Sequence, residues 1–432
     1  MPAPKTLLPW LLGGAIGVGG ILQGLSWRSS AAKADVTELK EQLRIATEEN
    51  EILQRENESL RSLAQGGGEL AVPQELVDRV EKEFGLTFKS TPVVHRASTD
   101  ELRDRISAGL ESGFGPAGAD YRQEAYGLIG WLLPDDKLLP QLTAVRSVGA
   151  RGWFDDEMGE AWVTDKFQIG NIPDQAALVR LLARILLHQH YPPAAEYPGD
   201  DAARAREALH QGAASGSEAR FYAANARAIG FVPMTENSDA EQLLNSLSPF
   251  IQGLTMFPVM DGKTFADTLL IKGKDEFQKV LKDPPKATRD ILHPGAEPLS
   301  APALEAPVVE EPFLSESAGQ LGLRLWLEPL GDAGVALEIS SSWQEDRYLL
   351  FPDGETSSAL VWDIVLDSKE SADALEAAAL DLAAALAGKE ETMPAATPVE
   401  TLEKRFVLVS RKGENRVRFL NTAIKETAEK LK

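Results

Sequence analysis

Apolar and polar positions divide this chain into three stretches of different period. Residues 7–27 carry no charged side chain; at about 1.5 Å each they span roughly 31 Å, close to the hydrocarbon thickness of a bilayer. Trp10 and Trp27 sit near the ends of this segment, where amphipathic rings favour the membrane interface. The pattern predicts a transmembrane signal anchor over 1–28. A cleaved leader is the competing reading, because Ala32-Lys33-Ala34 has the small-x-small form. From 35 to 65 the period becomes seven, with Val36, Leu43, Asn50, Asn57 and Ala64 at a and Leu39, Ala46, Leu53 and Leu60 at d. Leu at d with Asn at a favours a parallel two-stranded coil, because a buried Asn pairs with its symmetry mate only in register. Asp35 with Lys40 and Glu56 with Arg61 supply g-to-e pairs of opposite sign. A homodimeric coiled-coil stalk is expected over 35–65, and a Gly-rich flexible linker over 66–72.

Beyond the linker the pattern mixes helical and strand periods. Residues 74–84 read as a helix and 91–95 as a short strand, and Ser98 or Thr99 can cap a second helix with Glu101 in its first turn. GWFDDEMGEAWV at 152–163 predicts two strands around a Glu-Met-Gly turn. Residues 176–191 are apolar around most of a helix, but Arg180, Arg184 and His188 form one polar stripe at i, i+4 and i+8. The next helix starts near Asp200 and carries Glu207 and Gln211 on one face. Residues 294–312 and 388–398 read as loops. The fold class expected is α+β, mainly helical, with one large domain over 73–423.

Composition narrows the chemistry. A net charge of −22 opposes binding to nucleic acid, whose partners present basic surfaces. With no cysteine, disulfides, thiolate-bound zinc and thiol nucleophiles are excluded. Five histidines remain. His188 and His190 are two apart on a helix, so their side chains diverge by about 200° and cannot share an ion. No phosphate-binding Gly-rich loop and no Ser-His-Asp spacing stands out. Neither a metal site nor a cofactor is expected.

A series of short segments resembles a bacterial HExxH (gluzincin-like) zinc metallopeptidase family. AALVRLLARILLHQHY at 176–191 is similar to that family's HELTHALQDQHF, with Gln189-His190-Tyr191 as the shared tail. The hairpin at 152–163 resembles GFYDPETGRLYV, and DDAARAREALHQG at 200–212 resembles the ARRALVEGDA segment. SPFIQGLTMF at 248–257 looks like YPYLAGLAFV, and DPPKATRDILHP at 283–294 looks like DPPRSTEQVLHP. The resemblance implies a zincin-like fold. It also places Arg180 and Arg184 at the two zinc-binding histidines, Leu181 at the catalytic glutamate and Gln211 at the third ligand. Zinc hydrolysis needs neutral imidazoles one turn apart and a carboxylate that activates water, so these substitutions remove ligands and base together.

The expectation is a single-pass membrane protein with its domain outside the cytoplasm, in a periplasm, paired by its stalk and catalytically inactive. Its partner would be a protein or peptide. The candidate binding residues are Arg180, Arg184, His188, Glu207 and Gln211, forming either an anion cleft or an internal salt bridge in which Glu207 and Gln211 face the arginines. An unorthodox zinc-independent hydrolase and a purely structural coiled-coil scaffold are the alternatives.

Overall fold

The structure, a computed structural model, describes residues 44, 68–194, 196–229, 239–297, 299, 304, 309 and 311–432. The described part of the unit Ser59–Lys432 is α+β, with two separate sheets set among helices. The segment 7–27, and 35–65 apart from Arg44, lie outside the described residues. Among the described residues no helix is long and apolar enough to cross a membrane. This corrects the expected transmembrane helix, and the signal anchor and membrane assignment are dropped with it. The physical reason is visible in the two longest apolar candidates: one carries Arg180 and Arg184 in its middle, the other Asp261, Lys263 and Asp267. Charge at such depth in hydrocarbon costs several kcal/mol, about 3 or more per residue.

The first helices are α1 (Gln74–Phe84), α2 (Thr99–Gly113), α3 (Gly118–Ile129) and α4 (Leu138–Ser147). In α1, Leu76, Val77, Val80 and Phe84 make the buried stripe, and Gly85 ends it in the left-handed region. Ser98 caps α2 as its sequence suggests: the hydroxyl accepts from Glu101 N at 3.2 Å, and Glu101 accepts from Ser98 N at 2.8 Å. Between and after these helices run β1 (Val94–Ala97), β2 (Gly152–Asp155) and β3 (Glu160–Thr164). They form a small sheet in the order β1-β3-β2, with β1 parallel and β2 antiparallel to β3. The expected strand at 91–95 thus begins later, at Val94. The expected free linker is also tied at its end. Leu70 N donates to Val94 O at 2.7 Å, Arg96 N donates to Gly68 O at 3.2 Å, and Leu70 is buried. Backbone pairing and one buried leucine offset the chain entropy that a glycine run would otherwise retain.

Two long helices follow, α5 (Ile172–His190) and α6 (Asp200–Ile229), and then α7 (Asp239–Ser246) and α8 (Pro249–Lys272). Helix α6 crosses α8 where Gly212 meets Gly262. A Cβ on either glycine would overlap the other helix's backbone, so only glycine permits so close a crossing. Helices α9 (Lys274–Lys282) and α10 (Thr288–Leu292) complete this half.

The C-terminal half is built on six antiparallel strands: β4 (Leu314–Glu316), β5 (Trp343–Pro352), β6 (Ser358–Leu366), β7 (Val399–Glu400), β8 (Phe406–Arg411) and β9 (Arg416–Thr422). Their order is β4-β5-β6-β9-β8-β7. Helices α11 (Gly319–Leu327), α12 (Ala333–Ser341), α13 (Lys369–Leu386) and α14 (Lys425–Leu431) pack around it. The central strand β6 is buried along nearly its whole length, and so reads as a continuous apolar run instead of alternating. One face has Leu349, Val361, Leu408 and Leu420 at its core. On the other, Trp362 packs edge-on to Trp326 and Trp131. Residues 388–398 form no helix or strand, and most of 294–312 lies outside the described residues.

Candidate functional site

The residues that the sequence singles out converge. Helix α5 rises behind the hairpin β2–β3, with α6 beside it, and a recess of about 170 Å³ opens between them. Arg180, Leu181 and Arg184 line it from α5, and Glu207 and Gln211 from α6. Arg146 from the end of α4 and Asp156 from the hairpin turn complete its polar wall. His188 is one turn further along α5 and does not line the recess. Its Nε2 lies 3.0 Å from the Asp156 carbonyl oxygen, and its ring stands edge-on to Phe154. His190 turns elsewhere, to Thr87 O at 2.8 Å, so the two histidines do serve different partners. Gln189 latches residues 89–90, accepting from Lys89 N at 2.8 Å and donating to Ser90 O at 3.1 Å.

The ion pairs differ from the expected ones. Glu207 does not meet Arg180 or Arg184; it pairs with Arg146 at 3.2 Å. Gln211 reaches only Ser215, at 3.5 Å. Arg180 pairs instead with Glu218 at 3.3 Å, one and a half to two turns beyond Gln211 on the same face of α6. Arg184 pairs with Asp156, which the hairpin turn brings from 28 positions earlier in the chain. The reason is reach: the α5 stripe faces the hairpin at Arg184, and faces α6 only at Arg180.

Electrostatics around the recess are uneven. The Arg184 side chain is 5% exposed and lies over the Phe154 ring at 5.2 Å. Its Nη1 is buried without an acceptor, and so is Arg146 Nε. The Asp156 side chain remains half exposed. Desolvation at the recess wall nevertheless pushes its carboxyl above the ordinary value, against the pull of Arg184 and with help from Glu207. Beneath Arg184, buried His210 has a ring Nε2 with no partner. Burial first, and then the charges of Arg184 and Arg206, hold its pKa well below 6.5, so it is neutral at physiological pH. Among the described residues no group of three or more His, Cys, Asp or Glu side chains could hold a metal ion.

A second charged assembly lies about two turns earlier, at the start of α6. Asp200 accepts from Arg122 Nη2 at 2.7 Å, Tyr197 OH at 2.7 Å, Tyr348 OH at 2.9 Å and Tyr126 OH at 3.0 Å. Glu316 joins through Arg122 at 3.1 Å and through the Asp200 backbone N–H at 2.9 Å. Burial alone would raise the Asp200 pKa, but Arg204 and Arg122 outweigh it and hold the group below its ordinary value. Next to it, Asp201 accepts from Thr288 N at 3.0 Å and Thr288 Oγ1 at 2.7 Å. Burial, with Asp346 adding to it, raises its pKa to about 7 against those hydrogen bonds. Asp346 itself takes the indole N–H groups of Trp343 and Trp362, at 2.9 and 2.8 Å. This assembly joins the helical half to the C-terminal sheet through β4, β5 and the start of α11.

Sequence reasoning missed Asp156, Arg146 and Glu218, and weighed His210 only as a metal ligand. Glu218 was accessible in principle, at i+7 from Gln211 on one helix face. The other three depend on how hairpin, α4 and α6 meet.

Residues 311–431 match the model of a family described as a domain of unknown function (DUF8575). The match covers the six-stranded sheet and its helices, well under half of the chain, and leaves the recess outside it. No curated protein and no solved structure matches the chain.

Proposed function

We propose that this chain is a non-catalytic binding protein: a peptidase-like domain in which the place of the metal is taken by a recess that holds an anionic group of a partner. One observation carries the proposal. The four residues standing where the resemblance expects ligands and base, namely Arg180, Leu181, Arg184 and Gln211, all line a single recess. A guanidinium keeps its proton at any pH a folded protein meets, so it repels cations and offers only donors. A ligand of such a wall must bring acceptors and negative charge. Arg184 Nη1 and Arg146 Nε are buried donors that such acceptors would satisfy, and a buried donor without a partner costs about 1–3 kcal/mol. The heptad pattern at 35–65 supports a paired chain, which would present two recesses together and add avidity.

Metal analysis and a peptidase assay on the full chain, purified without chelator, are the first test: no stoichiometric zinc and no cleavage are expected. Calorimetric titration with acetate, sulfate and inorganic phosphate is the second, with binding expected in the unaltered chain and lost in Arg184→Gln. One tightly held zinc per chain, or anion binding indifferent to Arg184, would overturn the proposal.

A further inference from the structure

Resting on that reading, we propose that the anion the recess takes is a carboxylate with a short apolar group, and that the Asp156 side chain occupies its place until the ligand displaces it. Asp156 and Arg184 are an unequal pair. The guanidinium is almost wholly buried and is held over Phe154, whereas the carboxylate is half exposed on a hairpin turn. The backbone of that turn is pinned separately, by the His188 ring on the Asp156 carbonyl. The Asp156 side chain can therefore leave by changing rotamer, without moving the hairpin.

The fit of Asp156 is also incomplete. Its Oδ2 meets Arg184 Nη2, while Arg184 Nη1 is left without an acceptor. A guanidinium presents parallel donors in a planar fork, which a carboxylate free to orient itself meets with both oxygens. Exchange of Asp156 for a ligand carboxylate thus gains a hydrogen bond that the internal pair does not make.

Size and lining limit the rest of the ligand. A recess of about 170 Å³ is smaller than the roughly 300–1,000 Å³ of sites that enclose a drug-sized molecule. It accommodates a chain end and not a whole large ligand. Val148, Phe154 and Leu181 give the carboxylate an apolar neighbour. Two sources offer this chemistry, the carboxyl terminus of a peptide and a free short-chain acid.

The test is calorimetry on the full chain with sodium propionate, inorganic phosphate, and a blocked tripeptide ending in valine, as free acid and as amide. Asp156→Asn keeps the size of the side chain and removes the competing charge; Asp156→Ser is the second variant, and far-ultraviolet dichroism checks that each folds. Propionate should bind Asp156→Asn about tenfold tighter than the unaltered chain, a modest shift for an ion pair half in water. The gain should vanish in Asp156→Asn/Arg184→Gln. A free-acid peptide that binds tighter than propionate, with its amide silent, identifies a peptide terminus. Equal affinity for peptide acid and propionate identifies a free acid. Phosphate binding tighter than either, or Asp156 variants without any gain while Arg184-dependent anion binding persists, overturns this inference and leaves the binding reading intact. Absence of any Arg184-dependent anion binding removes both.

Discussion

Two charged assemblies share helix α6, and they treat their charges in opposite ways. At its first turn Asp200 lies out of water with four strong donors aimed at its two oxygens, and its arginine partner Arg122 is fully buried. About two turns on, at the recess, Glu207 is 40% exposed; there Asp156 of the hairpin is half exposed, while the buried Arg184 of α5 keeps one donor unmet. A carboxylate removed from water needs nearly all its lone pairs satisfied, or the desolvation cost exceeds the attraction. Only the first assembly meets that condition, and it spans the seam between the helices and the six-stranded sheet. The second leaves part of its charge in water and part of its bonding capacity unused. A carboxylate fully met by donors marks the assembly that holds the fold together, although Arg204 Nη1 there is also unmet; a carboxylate left half in water marks the one free to exchange partners.

The sharpest way to break this comparison is Asp200→Ala. It leaves Arg122 and Arg204 buried without their main anion and should cost about 3–5 kcal/mol in denaturant unfolding. A loss below about 1 kcal/mol would put the two assemblies on the same footing. Gly319→Ala should follow, at about 2 kcal/mol or more: Gly319 has φ +68°, and an added Cβ would overlap the Asp201 carboxylate.

Asp201 gives the comparison a pH axis. Its folded pKa of about 7 lies above the ordinary 3.8, so the folded state binds the proton more tightly. Its contribution is complete below about 4 and is lost as pH rises through 7. Asp201→Asn should therefore flatten the fall in melting temperature between pH 5 and 8. His210 acts in the opposite sense. Its folded pKa lies below 6.5, so the unfolded chain takes up the proton first and stability falls as pH drops below 6.5. His210→Gln should remove that acid-side loss; unchanged melting curves at pH 5 would show that the ring is not buried neutral beneath Arg184. The smallest effect belongs to Arg180→Gln. Both partners of the Arg180–Glu218 pair are a quarter exposed, and such pairs contribute about 0–1 kcal/mol.

Several elements were legible because their causes are local. The stripe of α1, the Ser98–Glu101 box and the Glu-Met-Gly turn lie within a few residues of the groups they bond, so period and cap residues suffice to place them. The polar stripe Arg180–Arg184–His188 was legible for the same reason. Its partners were not. Glu207 had the right spacing from Gln211, yet Arg146 of another helix reaches it first. Arg122, Tyr126 and Tyr348 give no sign of belonging together, since they meet Asp200 across 78, 74 and 148 positions of chain. The apolar run at 7–27 lies outside the described residues; among those described, no helix is long and apolar enough to cross a membrane.

By itself the sequence determined which residue types occupy positions 180, 181, 184 and 211, to which its resemblance to a peptidase family drew attention. A helix with arginine at 180 and 184 and leucine at 181 has no imidazole or carboxylate there to offer a metal, whatever surrounds it. It also determined helix faces and caps, because those depend on neighbours three or four positions away. The tertiary structure decided which anion each arginine meets, and which of the two assemblies buries its carboxylate with its oxygens fully met. Those outcomes rest on burial and on distances between segments far apart in the chain, and a charge in water and the same charge behind Phe154 obey different energetics.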